Sequence, residues 1–241
     1  MSDRNIALIT GANKGIGREI ARQLGARGAV VLIGARDETR GEEAASALRA
    51  EGVDAHCVAL DVTSIATIEA AAQRIAAEWG KLDILVNNAA VFIDNGPPSE
   101  LDPALLRRTY DTNVFGVVDT IRTLLPLLRK SPAGRIVNLS SGLGSLTQQL
   151  DPESSYYGVN LLAYNSSKTA VNAITVAFAK ELRDTPIKVN AADPGYVATD
   201  LNQHQGYRTV EQGATAPVRL ATLPVDGPTG GYFDENGPLP W

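Results

Sequence analysis

The sequence has very little of the chemistry used by metalloproteins and disulfide-stabilised proteins. It contains one cysteine, Cys57, and two histidines, His56 and His204, among 241 residues. A single cysteine cannot form an intrachain disulfide, and the histidines show neither metal-ligand spacing nor a nucleophile context. We therefore expect no metal site and no Ser-His-Asp hydrolase. The lack of a disulfide framework favours a reducing, cytoplasmic compartment.

A basic excess and long apolar runs are missing as well. The formal net charge is -5, whereas nucleic-acid surfaces normally show a basic excess. No apolar run approaches the ~20 residues that a membrane-spanning helix needs. The opening segment MSDRNIALIT also lacks the basic start, apolar middle and small-residue cleavage site of a secretory signal. We expect neither a nucleic-acid nor a membrane partner.

Short apolar runs alternate with longer amphipathic segments along most of the chain. The predicted strands are 6–10, 30–35, 56–62, 84–89, 135–140 and 187–194. Helical spacing marks 17–28, 39–52, 67–80, 103–130 and 166–184. Strands that are apolar on both faces and alternate with helices are typical of a parallel sheet covered on each side. The pattern predicts a doubly wound, three-layer α/β fold in a single domain spanning 1–241, with ligands beyond the carboxyl ends of the strands.

A glycine motif lies where the first strand ends and the first helix begins, at Thr10–Gly17. In such a motif, Gly11 permits a tight turn, Gly15 lets the backbone approach a pyrophosphate, and Gly17 allows close helix packing. The helix N-terminus offers unpaired N–H groups to the phosphates. The alternative is a plain strand-to-helix turn without a ligand. If the motif binds a dinucleotide, Asn13, Lys14 and Ile16 are also predicted to contact it.

Cations near the second strand favour NADP(H) over NAD(H). That strand ends in Gly34-Ala35-Arg36, where NAD-selective sites usually carry a carboxylate for the ribose 2′-hydroxyl. A guanidinium at this position can clamp a 2′-phosphate instead, and Lys14 supports the same choice. The alternative is that Arg36 and Lys14 are solvated surface charges, as most arginines and lysines are.

Polar residues also follow the third and fourth predicted strands. Asp61 and Val62 close the third strand, where the carboxylate can accept a bond from an adenine amine or cap the following helix. Asn87-Asn88-Ala89-Ala90 ends the fourth strand. Its side-chain amides are placed to hold a ribose, although an ordinary asparagine turn is the alternative. The predicted cofactor contacts here are Asp61, Val62, Asn88 and Ala89.

Tyr164 and Lys168 are four positions apart, so on a helix they lie one turn apart on the same face. A free phenol has a pKa of about 10, and a nearby ammonium lowers the phenol pKa towards neutrality. Tyr164 could then donate a proton to a carbonyl oxygen as hydride arrives. Ser141, one residue past the predicted fifth strand, can polarise the same oxygen. The alternative for such a pair is simple packing and surface exposure.

Taken in order, these motifs resemble the short-chain dehydrogenase/reductase family. The resemblance runs from about Ile6 to Thr199. The residues that carry it are Thr10–Gly17, Asn87–Ala90, Asn113, Ser141, Tyr164–Lys168 and Pro194-Gly195.

The resemblance implies a Rossmann fold and an active site formed by Asn113, Ser141, Tyr164 and Lys168. In the family, the asparagine holds a water that links the lysine to solvent. The alternative for Asn113 is a helix-interior asparagine with a local backbone bond. The segment after the sixth strand closes on the nicotinamide. The implied nicotinamide-side contacts are Tyr164, Lys168, Pro194, Gly195, Val197 and Thr199.

Some sequence features resemble one branch of the family, and two others depart from the usual family pattern. The Asn13-Lys14-Gly15 loop, Arg36 and the ending Gly-Pro-Leu-Pro-Trp241 look most like NADPH-dependent carbonyl reductases. Ala90 stands where glycine is usual, a small change if its φ is negative. The segment 142–163 is longer than in most members and shorter than in the monomeric carbonyl reductases, so the oligomeric state stays open among monomer, homodimer and homotetramer.

The expected function is that of an NADPH-dependent carbonyl reductase. We expect substrate loops around 142–163 and 196–212. The first contains no arginine, lysine or histidine, which favours a small neutral ketone or aldehyde, or the corresponding alcohol. Two other functions compete, a non-enzymatic NADP(H)-binding sensor on the same fold and an NAD-linked alcohol dehydrogenase.

Overall fold

Seven parallel strands form one sheet in the order β3-β2-β1-β4-β5-β6-β7. The computed structural model describes residues 4–94 and 96–241; residues 1–3 and Asn95 lie outside the described part. The strands are β1 Ile6–Thr10, β2 Val30–Ala35, β3 Ala55–Ala59, β4 Ile84–Asn87, β5 Arg135–Leu139, β6 Lys188–Ala192 and β7 Tyr232–Phe233.

Helices cover both faces of this sheet. They are α1 Gly15–Gly25, α2 Glu38–Ala50, α3 Ile65–Glu78, α4 Pro103–Tyr110, α5 Gly116–Leu128, α6 Leu146–Leu150, α7 Leu162–Glu181 and α8 Val210–Ala221. A π-helical turn, Asp111–Phe115, joins α4 to α5. Short 3₁₀ turns occupy Gly142–Gly144 and Asp200–Asn202. Among the described residues, no helix has the length and apolar character needed to cross a membrane.

Each central strand supplies side chains to two separate cores, which is why its sequence is apolar throughout. Leu8 packs in the core beneath α3, α5 and α7, whereas its neighbour Ile9 packs in the core beneath α1, α2 and α8. All five residues of β1 are buried. Since successive side chains on a strand point to opposite faces, only a sheet covered on both sides accommodates this run. The predicted doubly wound α/β fold is confirmed.

The strand order creates a crevice beside the end of β1. The chain proceeds from β1 outward through β2 to β3, and then returns to place β4 on the other side of β1. Connections on the two sides of β1 therefore diverge at its carboxyl end. In open α/β sheets such a switch point is where ligands bind.

Several predicted boundaries were wrong. The third strand ends at Ala59 and the fifth at Leu139, so Asp61 and Val62 lie in a turn beyond their strand and Ser141 is two residues past its own. The single helix predicted over 103–130 is divided by the π-helical turn, which inserts one extra residue into the helical ladder.

Two elements near the C-terminus were not predicted. Helix α8 begins at Val210, within the predicted loop 196–212, and contains Gly213 and Pro217, both poor helix formers. Strand β7 lies inside the segment 224–241, whose sequence resembles a turn-rich tail. The capping box formed by Thr209 and Gln212 is the one signal that marks the start of α8.

The end of the sheet opposite the crevice is held by a buried carboxylate. Asp83 is 2% exposed and accepts the Ile6 N–H at 2.9 Å and the Ser131 hydroxyl at 2.6 Å. The Lys81 ammonium lies 2.9 Å from the oxygen that accepts the Ile6 N–H and 3.1 Å from the other. Because Ile6, Lys81 and Ser131 come from three segments, Asp83 ties the start of β1 to β4 and to the loop before β5.

We expect Asp83→Ala to lower the free energy of unfolding by about 3 kcal/mol, because it leaves two buried donors and a partly buried ammonium without their acceptor. Urea denaturation followed by circular dichroism measures the change. Asp184→Ala, at an exposed ion pair with Arg183, should change the same quantity by less than about 0.5 kcal/mol. Equal losses in the two variants would contradict the role given to Asp83.

Candidate active site

The glycine turn after β1 is held against the loop after β4. The Thr10 hydroxyl accepts the N–H groups of Asn88 and Ala89, each at 3.0 Å. In return, the Asn88 amide donates to the carbonyls of Thr10 and Gly11 at 2.8 and 3.1 Å. The amide of Asn88, predicted to hold a ribose, is thus engaged in fixing the glycine turn.

The three motif glycines are each needed for a local reason. Gly11 and Gly15 have φ values of +63° and +57°, a left-handed conformation that glycine adopts without steric cost. A Cβ added to Gly17 would overlap the amide nitrogen of Asn88. Ala90 is not among the described residues with positive φ, so alanine there carries no backbone strain.

A cleft of about 800 Å³ opens above this turn. It gathers most of the predicted cofactor contacts: Gly11, Asn13, Lys14, Gly15, Ile16, Gly17, Arg36, Asp61, Val62, Asn88, Ala89 and Thr199. The predicted contacts outside its lining are Tyr164, Lys168, Pro194, Gly195 and Val197. Within the described residues, no three His, Cys, Asp or Glu side chains are gathered in a metal-binding arrangement.

The charged side chains that line the cleft near the glycine turn and β2 differ in their partners. Lys14 is paired with Asp200 at 2.6 Å, and His204 bonds the other oxygen of Asp200 at 2.9 Å. Arg36 is exposed and, within 4–94 and 96–241, has no ion pair. The Asp37 carboxylate beside it caps α2 by accepting the Arg40 N–H. Asp200 was not identified from the sequence, because 186 residues separate it from Lys14.

Asp61 lies in a turn at the edge of the cleft. One of its carboxylate oxygens accepts the N–H of Thr63 at 2.9 Å and the Thr63 hydroxyl at 2.7 Å. Helix α3 begins later, with Ser64 at its N-cap. Asp61 therefore stabilises the turn before the helix, and its side chain also lines the cleft.

The π-helical turn brings Asn113 to the loop after β4. Its side-chain oxygen accepts the Val91 N–H at 2.8 Å, and its amide donates to the Val91 carbonyl and the Ser167 hydroxyl, each at 3.0 Å. The side chain is 1% exposed. These bonds are long-range rather than local to the helix, so Asn113 connects the cleft to α7.

Three of the predicted catalytic residues meet at the start of α7. The Ser141 hydroxyl hydrogen-bonds the Tyr164 phenol, and the Lys168 ammonium lies 5.6 Å from the centre of the Tyr164 ring. The Lys168 ammonium also donates to the Leu139 carbonyl at 2.8 Å. A Cβ on Gly144 would come 2.8 Å from the Lys168 backbone, so glycine lets the turn after Ser141 pack closely on α7.

The expected direction of the Tyr164 pKa shift was wrong. Burial and the charge of Asp193 raise the pKa of Tyr164, and the bond from Ser141 opposes this only in part. Burial lowers the pKa of Lys168 to about 8, while Asp193 acts to raise it. Desolvation of the phenolate thus outweighs the attraction of an ammonium that is itself weakened by burial.

Asp193 is a buried acid that the sequence analysis did not identify. It is 7% exposed and accepts the Gly195 N–H at 2.9 Å, and it also accepts the N–H of Gly142. Its carboxylate therefore joins the turn after Ser141 to the segment after β6. Burial raises the pKa of Asp193. Its position just before Pro194-Gly195 is typical of an ordinary turn, which gave no sign of burial.

The segment after β6 folds over the glycine turn. Thr199 and Asn202 form a capping box, and the Asn202 amide donates to the Val197 carbonyl at 2.9 Å. Gly15 faces the Thr199 side chain. Arg208, at the end of this segment, is ion-paired with Glu235 and does not line the cleft.

The segment 142–163 packs between α7 and the C-terminal residues. The Tyr156 ring lies against Gly142, so closely that a Cβ there would overlap it. The Thr147 N–H donates to the Trp241 carbonyl at 3.1 Å, and the Trp241 ring stacks on Tyr232. Leu146, Leu150 and Tyr157 are exposed, so this segment presents apolar side chains at the surface.

Comparison with known proteins places this arrangement in a family. The family model described as short chain dehydrogenase matches residues 5–208. Short-chain dehydrogenase/reductase 1 of Saponaria officinalis is 35% identical, covering 100% of this chain and 97% of its own length. Carbonyl reductase [NADPH] 1 of Rattus norvegicus is 34% identical, covering 100% and 99%.

Solved structures agree with the sequence relatives. The structure of salutaridine reductase from Papaver somniferum superposes with a TM-score of 0.81 at 32% identity, covering 95% of this chain and 99% of that one. The match therefore extends over the sheet, the cleft and α7 together. The chain belongs to the short-chain dehydrogenase/reductase family of oxidoreductases.

Proposed function

We propose that this protein is an NADPH-dependent carbonyl reductase acting on small neutral ketones or aldehydes. The observation that carries the proposal is the Tyr164 phenol bonded to Ser141, with Lys168 on the next turn of the same helix. The rat relative is named as an NADPH carbonyl reductase. The segment 142–163 has no basic side chain to pair with an anionic substrate, which supports a neutral one.

The residues around the cleft fit a dinucleotide. Helix α1 starts at Gly15 and, in the described part of the chain, no side chain caps its first turn, so its N–H groups can bind a pyrophosphate. Arg36 would hold the 2′-phosphate, with Lys14 nearby. Thr199 and the backbone of Pro194, Gly195 and Val197 would hold the nicotinamide end. When bound, the cofactor supplies a hydride to the carbonyl carbon.

The chain's own groups handle the proton. Ser141 and Tyr164 bind the carbonyl oxygen and polarise it, and Tyr164 donates its proton as negative charge develops there. A raised pKa keeps the Tyr164 phenol protonated at neutral pH, which is the form that reduction needs. Lys168 stabilises the resulting phenolate, and Asn113 holds the segment that carries these groups in place.

We expect Tyr164→Phe to lower kcat for ketone reduction about a thousandfold, because no other group replaces the proton donor. NADPH oxidation at 340 nm with a panel of aryl ketones, aldehydes and diketones measures turnover, and NADPH fluorescence measures binding. Tyr110→Phe, a matched loss of a hydroxyl outside the site, should behave as wild type. NADPH binding without turnover in both wild type and Tyr164→Phe would favour the sensor alternative.

Cofactor choice should depend on Arg36, because it is exposed and, among the described residues, has no ion pair to give up to a 2′-phosphate. We expect Arg36→Asp to reduce the ratio of kcat/KM for NADPH to that for NADH by about a hundredfold, as one charge-assisted phosphate contact is lost and a repulsion is added. Arg40→Asp, in the first turn of α2 and outside the cleft, is the control. A wild type that prefers NADH, with Arg36→Asp silent, would instead support the NAD-linked alcohol dehydrogenase.

The pH dependence of reduction should depend on the negative charge of Asp193. That charge raises the pKa of both Tyr164 and Lys168, and reduction needs both groups protonated. Asp193→Asn keeps an acceptor for the Gly195 N–H but removes the charge, so both pKa values fall. We expect the alkaline limb of the kcat profile to move to lower pH by about one unit.

The control for this profile is Asp226→Asn, which removes one negative charge from an exposed position. Its alkaline limb should coincide with that of the wild type. A limb that stays fixed in Asp193→Asn, or moves to higher pH, would show that Asp193 does not act on these groups. Cytoplasmic location, the single-domain organisation and the oligomeric state stay predictions.

A further inference from the structure

Helix α7, which carries Tyr164 and Lys168, begins without a cap of its own. Its N-cap residue, Leu161, has extended backbone and no side-chain acceptor. The first N–H groups of a helix have no partner within the helix. Tyr164 is the third residue of α7, so its backbone lies in the turn that frays most readily.

A carboxylate from a distant loop supplies the missing cap. One oxygen of Asp94 accepts the Ala163 N–H at 2.8 Å, and the other accepts the Tyr164 N–H at 3.1 Å. Asp94 comes from the loop after β4, 69 residues before Ala163. Helices α2 and α4 are capped instead by their own N-cap residues, Asp37 and Asp102. A negative charge at a helix N-terminus is also favoured by the helix dipole.

Asp94 ends a segment that touches several parts of the candidate site. Asn88 holds the glycine turn, and the Val91 main chain is bonded twice to Asn113. The Phe92 ring packs on the Tyr164 ring with a centre-to-centre distance of 5.3 Å. Phe92 and Ile93 also line the cofactor cleft. The segment 88–94 therefore connects the floor of the cleft to Tyr164 through both its backbone and its ring.

We propose that Asp94 is a positioning residue for proton transfer, which fixes Tyr164 relative to the cleft by capping the first turn of α7. The phenol oxygen lies at the far end of a long side chain, so a small tilt of the first turn displaces it by more than it displaces the backbone. Misplacement of a reacting group by about 1 Å can cost a hundredfold in rate. This proposal rests on the proposed function for its rate measurements.

Three variants test this role. Asp94→Ala removes both acceptors at the start of α7, and Asp94→Asn retains one acceptor without the charge. Asp102→Ala is the control, because it removes the single side-chain cap bond of α4. We expect kcat for ketone reduction to fall about tenfold in Asp94→Ala and about threefold in Asp94→Asn, with KM for NADPH within about twofold of wild type. Asp102→Ala should keep the wild-type kcat while its thermal midpoint falls about as far as that of Asp94→Ala.

An unchanged kcat in Asp94→Ala, or an equal fall in Asp102→Ala, would overturn the positioning role and leave Asp94 as an ordinary helix cap. If Asp94→Ala does not fold, kcat of Asp94→Asn decides, and an unchanged value would overturn the positioning role. If the wild type itself reduces no carbonyl compound, the proposed function fails separately. A crystal structure of Asp94→Asn then decides the matter, since an unmoved Tyr164 hydroxyl contradicts the proposal and a displaced one supports it.

Discussion

The hydroxyl group of Thr10 joins the two strand ends on which the rest of the site is built. It accepts two N–H groups from the loop after β4, and the Asn88 amide returns two bonds to the glycine turn. Parallel pairing of β1 with both β2 and β4 places these ends side by side. From Ala89 the same loop continues to Val91, bonded to Asn113, and to Asp94, bonded to α7. The cleft and the proposed proton donor are thus parts of one bonded chain of contacts.

Burial changes the pKa values of the proposed proton-transfer groups, Tyr164 and Lys168, more than nearby charges do. Lys168 is 4% exposed, and burial lowers its pKa to about 8. The same loss of hydration raises the pKa of Tyr164. Asp193 counteracts the loss of charge on Lys168 because a nearby carboxylate favours an ammonium. Together these effects keep tyrosine and lysine protonated near neutral pH, which suits donation of a proton to a substrate oxygen.

The sequence predicts local features well where the backbone itself requires a residue type. Gly11 and Gly15 are needed for positive φ, and the apolar runs are needed for a sheet with two cores, so the fold class and the glycine turn were predictable. The ends of the strands were harder to predict, since Leu60 and Val62 continue the apolar character of the third strand beyond Ala59. Helix α8 was missed because Gly213 and Pro217 interrupt its helical pattern.

Contacts between residues distant in the chain could not be predicted from spacing. Asp94 caps a helix that starts 68 residues later along the chain, and Asp200 pairs with Lys14 across 186 residues. Either carboxylate, seen in the sequence alone, is an ordinary loop residue. The burial of Asp193 was hidden for the same reason, because it bonds the main chains of Gly142 and Phe233, which are distant in the sequence. The sign of the Tyr164 pKa shift depended mainly on burial of the phenol itself, which spacing along a helix does not show.

The two ends of the candidate site differ in how firmly they are held. Asn113 and Asp193 are buried side chains whose hydrogen bonds are buried or partly buried, and a buried polar group that loses its partner is costly. Lys14, Asp200 and His204 are exposed, so the ion pair between Lys14 and Asp200 is weak and screened by salt. The exposed end can therefore exchange partners when a phosphate arrives, at little cost to the fold. The end that carries the proposed proton donor is held by a separate set of bonds. Substitutions that alter cofactor choice at the exposed end should therefore leave the geometry around Tyr164 intact.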